Sequence, residues 1–139
     1  MEKKTMYAFS VELKQDYTDF NDAVAKVKAA LMAEKMGVIS EVNVSGILKA
    51  KMEVDYPDYC ILGACVAPFA KRILDVDKEA GALLPCNVIV RSEADQVFVT
   101  FMHPQSVLGM AKNAEIDKVA DEALVMLNEV KARLSGEKK

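Results

Sequence analysis

Apolar and polar positions change period several times along the chain, and each change predicts an element. Tyr7, Phe9, Val11 and Leu13 alternate with Ala8, Ser10, Glu12 and Lys14, the two-residue period of a strand with one buried face. From Asp19 the spacing lengthens. Phe20, Ala23, Val24, Val27, Ala30 and Leu31 recur at intervals of three and four, which predicts an amphipathic helix with Thr18 as its N-cap and Gly37 as its stop. Alternation returns over residues 38–44. Ser45 is placed to cap a short helix running through Leu48 and Met52, before the turn Asp55-Tyr56-Pro57-Asp58. Residues 59–65 read as a third strand, with Tyr59, Ile61, Gly63 and Cys65 on one face. Pro68 suits a first helical turn, so residues 69–76 read as a third helix that closes near Asp77 and Gly81.

Residues 84–91 and 97–102, separated by Ser92-Glu93-Ala94-Asp95, predict an antiparallel hairpin. The final helix has Asn113 as cap and Glu115 and Asp117 in its first turn. Its buried stripe runs along Ile116, Ala120, Ala123, Leu127, Val130 and Leu134, with Lys131 and Arg133 near the end. Residues 1–4 and 136–139 are expected to fray. The order β-α-β-α-β-α-β-β-α predicts an α+β fold: a mixed, mainly antiparallel sheet of about five strands with helices packed on it. A length of 139 residues suits one domain spanning the whole chain.

Composition narrows the function classes. The chain is 52% apolar and 28% charged, with a net charge of −3. Lys and Arg are dispersed and form no basic stripe with interleaved aromatics, which argues against nucleic acid as a partner. No run of about 18 uncharged apolar residues is present, and the first residues lack the form of a signal peptide. A cytoplasmic location follows as the expectation. Three cysteines without a CxxC spacing argue against a disulfide framework. No GxGxxG or GxxxxGK[ST] loop is present to cradle phosphates, and the eight methionines read as core gap fillers.

The candidate chemistry sits mid-chain, where Gly, Pro, Asn and Cys interrupt apolar strands. Cys65 ends Ile61-Leu62-Gly63-Ala64-Cys65, and Cys86 lies in Leu83-Leu84-Pro85-Cys86-Asn87-Val88-Ile89-Val90. On a regular pleat Cys86 shares a face with Leu84, Val88 and Val90, while Asn87 shares the other with Pro85, Ile89 and Arg91. Pro85 cannot donate to a ladder, so it marks an edge, a strand start or a bulge.

Three readings of the cysteines stand side by side. Both can be small buried hydrophobes. They can be catalytic or redox thiols, with Cys65 just ahead of the helix start at Pro68 and near Lys71 and Arg72. They can also hold zinc together with His103, although that set is one ligand short of a structural site and Cys60 faces the wrong way to complete it. His103 ends a strand before Pro104, with no Ser or Asp placed to form a triad.

These same phrases carry a resemblance. Ile61 to Cys65, then Pro68 and Ala70, then Gly81-Ala82-Leu83-Leu84-Pro85-Cys86-Asn87-Val88-Ile89-Val90, resemble the core motif of the bacterial and archaeal family known as domain of unknown function 302. Lys35-Met36-Gly37-Val38-Ile39-Ser40-Glu41-Val42, Leu48-Lys49, Tyr56-Pro57 and Tyr59 extend the likeness over most of the chain. The resemblance implies a small α+β domain, often paired into dimers, with no established activity. Family members often carry an acidic residue where this chain has His103, so no role for the histidine follows from the family.

Two classes of function stay open. The first is a non-catalytic binding or interaction domain, a homodimer in which Gly63, Cys65, Cys86 and Asn87 line a pocket for a small molecule. In that class Asn87 offers a donor and an acceptor. The second is a thiol enzyme or redox sensor, which requires the two sulfurs to come within bonding reach.

Overall fold

The alternating segments become five strands and the three-to-four-spaced segments become helices. The structure is a computed structural model, and it describes residues 6–13 and 19–136. The strands are β1 (Ala8–Leu13), β2 (Gly37–Asn43), β3 (Tyr59–Cys65), β4 (Cys86–Glu93) and β5 (Gln96–Met102). The helices are α1 (Phe20–Ala33), α2 (Val44–Met52), α3 (Ala67–Val76), α4 (Pro104–Leu108) and α5 (Ala114–Ser135), with 3-10 turns at Lys78–Leu83 and Gly109–Ala111. The strands form one sheet in the order β1-β5-β4-β3-β2. Each neighbouring pair is antiparallel, so the expected α+β architecture holds.

The pleat sorts the side chains. Val11 lies opposite Val99, and Val90 pairs with Val99 on the other side. These residues, with Leu62, Val88 and Phe101, form the buried side of the sheet. There they meet Val27 and Leu31 of α1 and Leu127 and Val130 of α5. Burying each such side chain contributes roughly 1.5–3 kcal/mol. A second cluster, Ile73, Ala80, Leu108, Ile116, Val119 and Ala120, joins α3, α4 and α5 beyond the end of the sheet. The two clusters meet along α5, which carries residues of both.

The opposite side of the sheet is only half-buried. Tyr59, Ile61, Ile89, Phe98 and Thr100 lie on it, and the Ser10 and Thr100 hydroxyls, direct partners across β1 and β5, hydrogen-bond at 2.7 Å.

The helix boundaries differ from the sequence reading for identifiable reasons. The expected cap Thr18 lies outside the described residues, as do residues 1–4 and 137–139. Asp19 caps α1, its carboxylate accepting the Asn21 N–H at 2.9 Å. On α2 the cap is Asn43 rather than Ser45: the Asn43 Oδ1 accepts the Gly46 N–H at 3.0 Å. Ser45 instead bridges, donating to Asn43 Oδ1 at 3.1 Å and accepting the Tyr59 N–H at 3.2 Å. Gly37 opens β2 rather than stopping α1. The α1 helix ends at Glu34, whose N–H bonds Leu31 and Met32, followed by Lys35 at φ 64°. Asn113 caps α5 as expected, accepting the Glu115 and Ile116 N–H groups at 2.9 and 3.2 Å. Gly136 closes that helix at φ 85°.

Candidate functional site

The site is built where β3 ends and β4 begins, beside the start of α3. Ala64 and Cys86 are direct partners across the ladder, and Gly63 pairs with Asn87. Pro85 directly precedes β4, which is an interior strand, so its missing N–H removes no ladder bond.

A cavity of about 300 Å³ opens at this end of the sheet, at the seam between the two cores. Met36, Cys65, Phe69, Ala70 and Cys86 are among its walls, and Ile73, Leu108, Val119 and Ala123 close it off. Each of those last four is 3% exposed or less. Among the described residues no charged side chain, hydroxyl, carboxamide or imidazole borders the cavity. Its polarity comes from two thiols and the backbone.

Cys86 is 9% exposed. Burial, and secondarily the neighbouring Cys65, push its thiol from 9.0 up to about 11. It is a neutral thiol at neutral pH, the reverse of the depressed pKa that an attacking thiolate needs. Cys65 is half-buried and borders the same cavity. The strand alternation, however, sets Cys65 one step from Ala64 and therefore on the other side of the pleat from Cys86.

The other sequence-selected residues go elsewhere. Asn87 is exposed on the half-buried side of the sheet. It borders a separate groove of about 430 Å³ with Tyr7, Thr100, Met102 and Met110. Leu84 and Pro85 form the wall between groove and cavity. Gly63 lines neither, because Ser40 and Pro85 pack against its α-carbon.

His103 stands at the N-cap position of α4. Its N–H bonds the Tyr7 carbonyl at 2.7 Å and its ring lies edge-on to Phe9 at 5.8 Å. Its Nδ1 is buried without a hydrogen-bond partner among the described residues. Among the described residues no three His, Cys, Asp or Glu side chains are grouped to hold a metal ion, so His103, Cys65 and Cys86 do not form a ligand set.

Cys60 lies at the far end of β3, buried, its thiol donating toward Glu41 at 3.9 Å. Burial first, and Glu41 second, raise its pKa. It borders a polar cleft of about 710 Å³. Several polar groups of that cleft are already committed. Asp19 and Asn43 cap helices, Glu41 pairs with Lys28 at 2.5 Å, and Lys49 pairs with Asp55 at 2.7 Å.

Met36, Phe69, Leu108 and Val119 are wall residues that the sequence reading did not single out. They come from the loop before β2 and from three different helices, and only the Pro104 that opens α4 hints locally that the chain turns back to close the cavity.

The sequence pattern of a family described as domain of unknown function DUF302 matches residues 9–134. The chain belongs to that family. A crystal structure of an uncharacterized conserved DUF302 protein from Bacillus stearothermophilus superposes with a TM-score of 0.82 at 23% identity, covering 94% of this chain and 99% of that one. At that identity the likeness establishes the DUF302 fold alone. No curated protein matches the chain. Among the described residues, no helix of this DUF302 domain is long and apolar enough to cross a membrane.

Proposed function

We propose that this DUF302 domain is a non-catalytic binding module that holds a small apolar molecule in the cavity beside Cys86. The observation that carries this reading is the wall chemistry: a concave space of about 300 Å³ bordered by hydrocarbon and two thiols, at the lower end of the size range of ligand sites. Cys65 and Cys86 act as soft wall groups. Asn87 and Gly63 serve the other side of the sheet, where Asn87 offers an amide to whatever covers that face. The thiol-redox alternative draws no support from Cys86, whose raised pKa keeps it protonated, and the zinc alternative lacks a grouped ligand set.

The second element of the proposal is a homodimer. The half-buried face of an antiparallel sheet can be left to water when it is polar, but here its centre is Ile61, Ile89 and Phe98. A second copy laid face to face covers these residues, and a stable pair requires about 800 Å² per partner. A cytoplasmic setting, where thiols stay reduced, agrees with three free cysteines.

The binding reading is tested by narrowing the cavity. Ala70 is half-buried at the cavity wall, so Ala70→Leu places three more carbons in the space from a position that tolerates them. Amide shifts in heteronuclear NMR, on titration with a short linear alcohol, are expected to cluster at α3, Cys86 and Ala123 in the native chain and to vanish in the variant. Shifts unchanged by Ala70→Leu, or absent from the native chain, overturn it.

A further inference from the structure

One wall of the cavity is fastened differently from the rest, and we propose that this wall, α3, is a lid: it lifts to admit the ligand and is latched shut by Arg72 against α5. The inference rests on the binding reading above and adds how that same site is opened.

The inner side of the cavity is fixed in the core. Ala64 and Cys86 are partners on two interior strands, and Val119 and Ala123 belong to α5, which buries seven of its residues. The outer side is α3, through Phe69, Ala70, Ile73 and Leu74. Of the ten residues of α3 only Ile73 is fully buried. Lifting this helix withdraws one core side chain, whereas moving the sheet or α5 would open the main core. Each end of α3 is a joint of one extended residue, Val66 at φ −111°, ψ 106° and Asp77 at φ −156°, ψ 101°. Residues at the ends of elements are where a hinge takes up its dihedral change.

Among the described residues, Arg72 makes both ion pairs that tie α3 to another element. Its guanidinium forks between two glutamates two turns apart on α5, reaching Glu115 at 3.1 Å and Glu122 at 2.8 Å. It also stands over the ring of Phe69, 5.9 Å from the centroid, so the latch touches the wall it holds. The pair between Lys71 and Asp75 stays within α3, and the Lys78 amine reaches back from the next turn only to the Leu74 carbonyl. The side chains of Arg72, Glu115 and Glu122 are 34%, 38% and 51% exposed. Water weakens such pairs, and two of them together shift an equilibrium by roughly two- to thirty-fold. That is enough to favour the closed lid and too little to lock it.

Two buried thiols separate lid opening from general loosening. Cys86 borders the cavity behind α3, whereas Cys60 lies at the far end of β3 beside the polar cleft. The experiment follows N-ethylmaleimide labelling of both at pH 8 by mass spectrometry of digested protein. All chains carry Cys65→Ala, so that the partly exposed thiol cannot react and fill the cavity. Arg72→Gln is expected to speed Cys86 labelling at least about three-fold and to change Cys60 by less than two-fold. Arg133→Gln removes a less exposed ion pair, with Glu34 of the α1 end, and is expected to leave the Cys86 rate within two-fold. Molar sodium chloride is expected to speed Cys86 in the chain that keeps Arg72 and to have no effect on Arg72→Gln.

A Cys86 rate that rises less than three-fold in Arg72→Gln overturns the lid. Equal acceleration of Cys60 in that variant, or of Cys86 in Arg133→Gln, assigns the effect to lost overall stability and overturns it too. Thermal melts establish that each variant is folded. If Arg72→Gln is not, the salt dependence of the chain that keeps Arg72 decides, and a Cys86 rate unchanged by salt overturns the lid. The alcohol titration with Ala70→Leu tests the binding reading by itself, so a cavity that binds nothing and a helix that does not lift are told apart.

Discussion

The α-carbon of Gly63 lies directly beneath the Ser40 hydroxyl of the neighbouring strand. A β-carbon there would overlap Ser40 Oγ and stand 2.8 Å from Pro85 Cγ. Glycine is therefore required by close packing among β2, β3 and the residue before β4. Gly63→Ala is expected to lower stability by about 1–3 kcal/mol, the range for overpacking a filled site. Ser40→Ala removes only one of the two overlaps, so the double variant is expected to recover part of the loss. Urea denaturation of the four proteins measures this, and a Gly63→Ala protein as stable as the parent contradicts the packing account.

The fold was legible wherever one element made its own pattern. Tyr7 to Leu13 alternate because one face of β1 is buried, and α5 announced itself through its stripe and through Asn113, Glu115 and Asp117. What escaped depended on partners distant in sequence. Asn43 reads as part of the alternating strand over residues 38–44, yet its carboxamide caps α2, and Ser45 is drawn away to bond the Tyr59 N–H. With five residues, α4 is too short to show a period. Cys86 and Asn87 were correctly separated to opposite faces by the alternation alone. The cavity was not legible, because its walls come from the ends of β2, β3 and β4 and from α3, α4 and α5, and no local spacing encodes their meeting.

The two thiols at the cavity are expected to differ in reactivity. Cys65 is partly exposed, whereas Cys86 is buried and held protonated up to about pH 11. With a maleimide reagent at pH 7.5, mass spectrometry of digested protein is expected to show Cys65 modified first. Cys86 should follow only at a rate set by opening of the structure. Cys86 modified as fast as Cys65 overturns the burial argument.

The same burial makes stability fall in alkali. A thiol at 9.0 in the unfolded chain and about 11 in the folded one binds its proton more tightly when folded. Its contribution is complete below pH 9 and is lost as pH rises from 9 through 11, an order of about 3 kcal/mol over the whole window. Cys60 titrates in the same direction. Cys86→Ala is therefore expected to flatten the decline between pH 9 and 11 without abolishing it. Guanidinium midpoints across that range provide the measurement, and an unchanged slope in the variant contradicts the assignment to Cys86.

Asn113 carries the start of the longest helix, where its Oδ1 accepts two N–H groups. Asn113→Ala leaves both without that acceptor at the end of α5 that abuts the second core through Ile116. The expected loss is about 1 kcal/mol. Asn113→Asp keeps the acceptor and adds a charge favourable to the helix dipole, so its melting temperature is expected to equal or exceed that of the parent. The cap account fails if alanine and aspartate behave alike.

Pairing of two copies through the half-buried sheet face places its strongest demand on Ile89. The residue sits on β4, the middle strand of the five, with Ile61 and Thr100 as its direct partners on either side. The side chains that hold the domain itself together, Val88 and Val90, point the opposite way into the core. Ile89→Glu thus sets a carboxylate at the centre of the contact face while leaving both core clusters intact, and the local β-propensity cost is no more than about 1 kcal/mol. In a face-to-face pair related by a two-fold axis the two glutamates approach each other, so desolvation and like-charge repulsion act together. Light scattering after gel filtration is expected to give twice the chain mass for the parent and the single chain mass for Ile89→Glu, with far-ultraviolet dichroism unchanged. A monomeric parent, or a variant that stays dimeric, shows that this face does not join two copies.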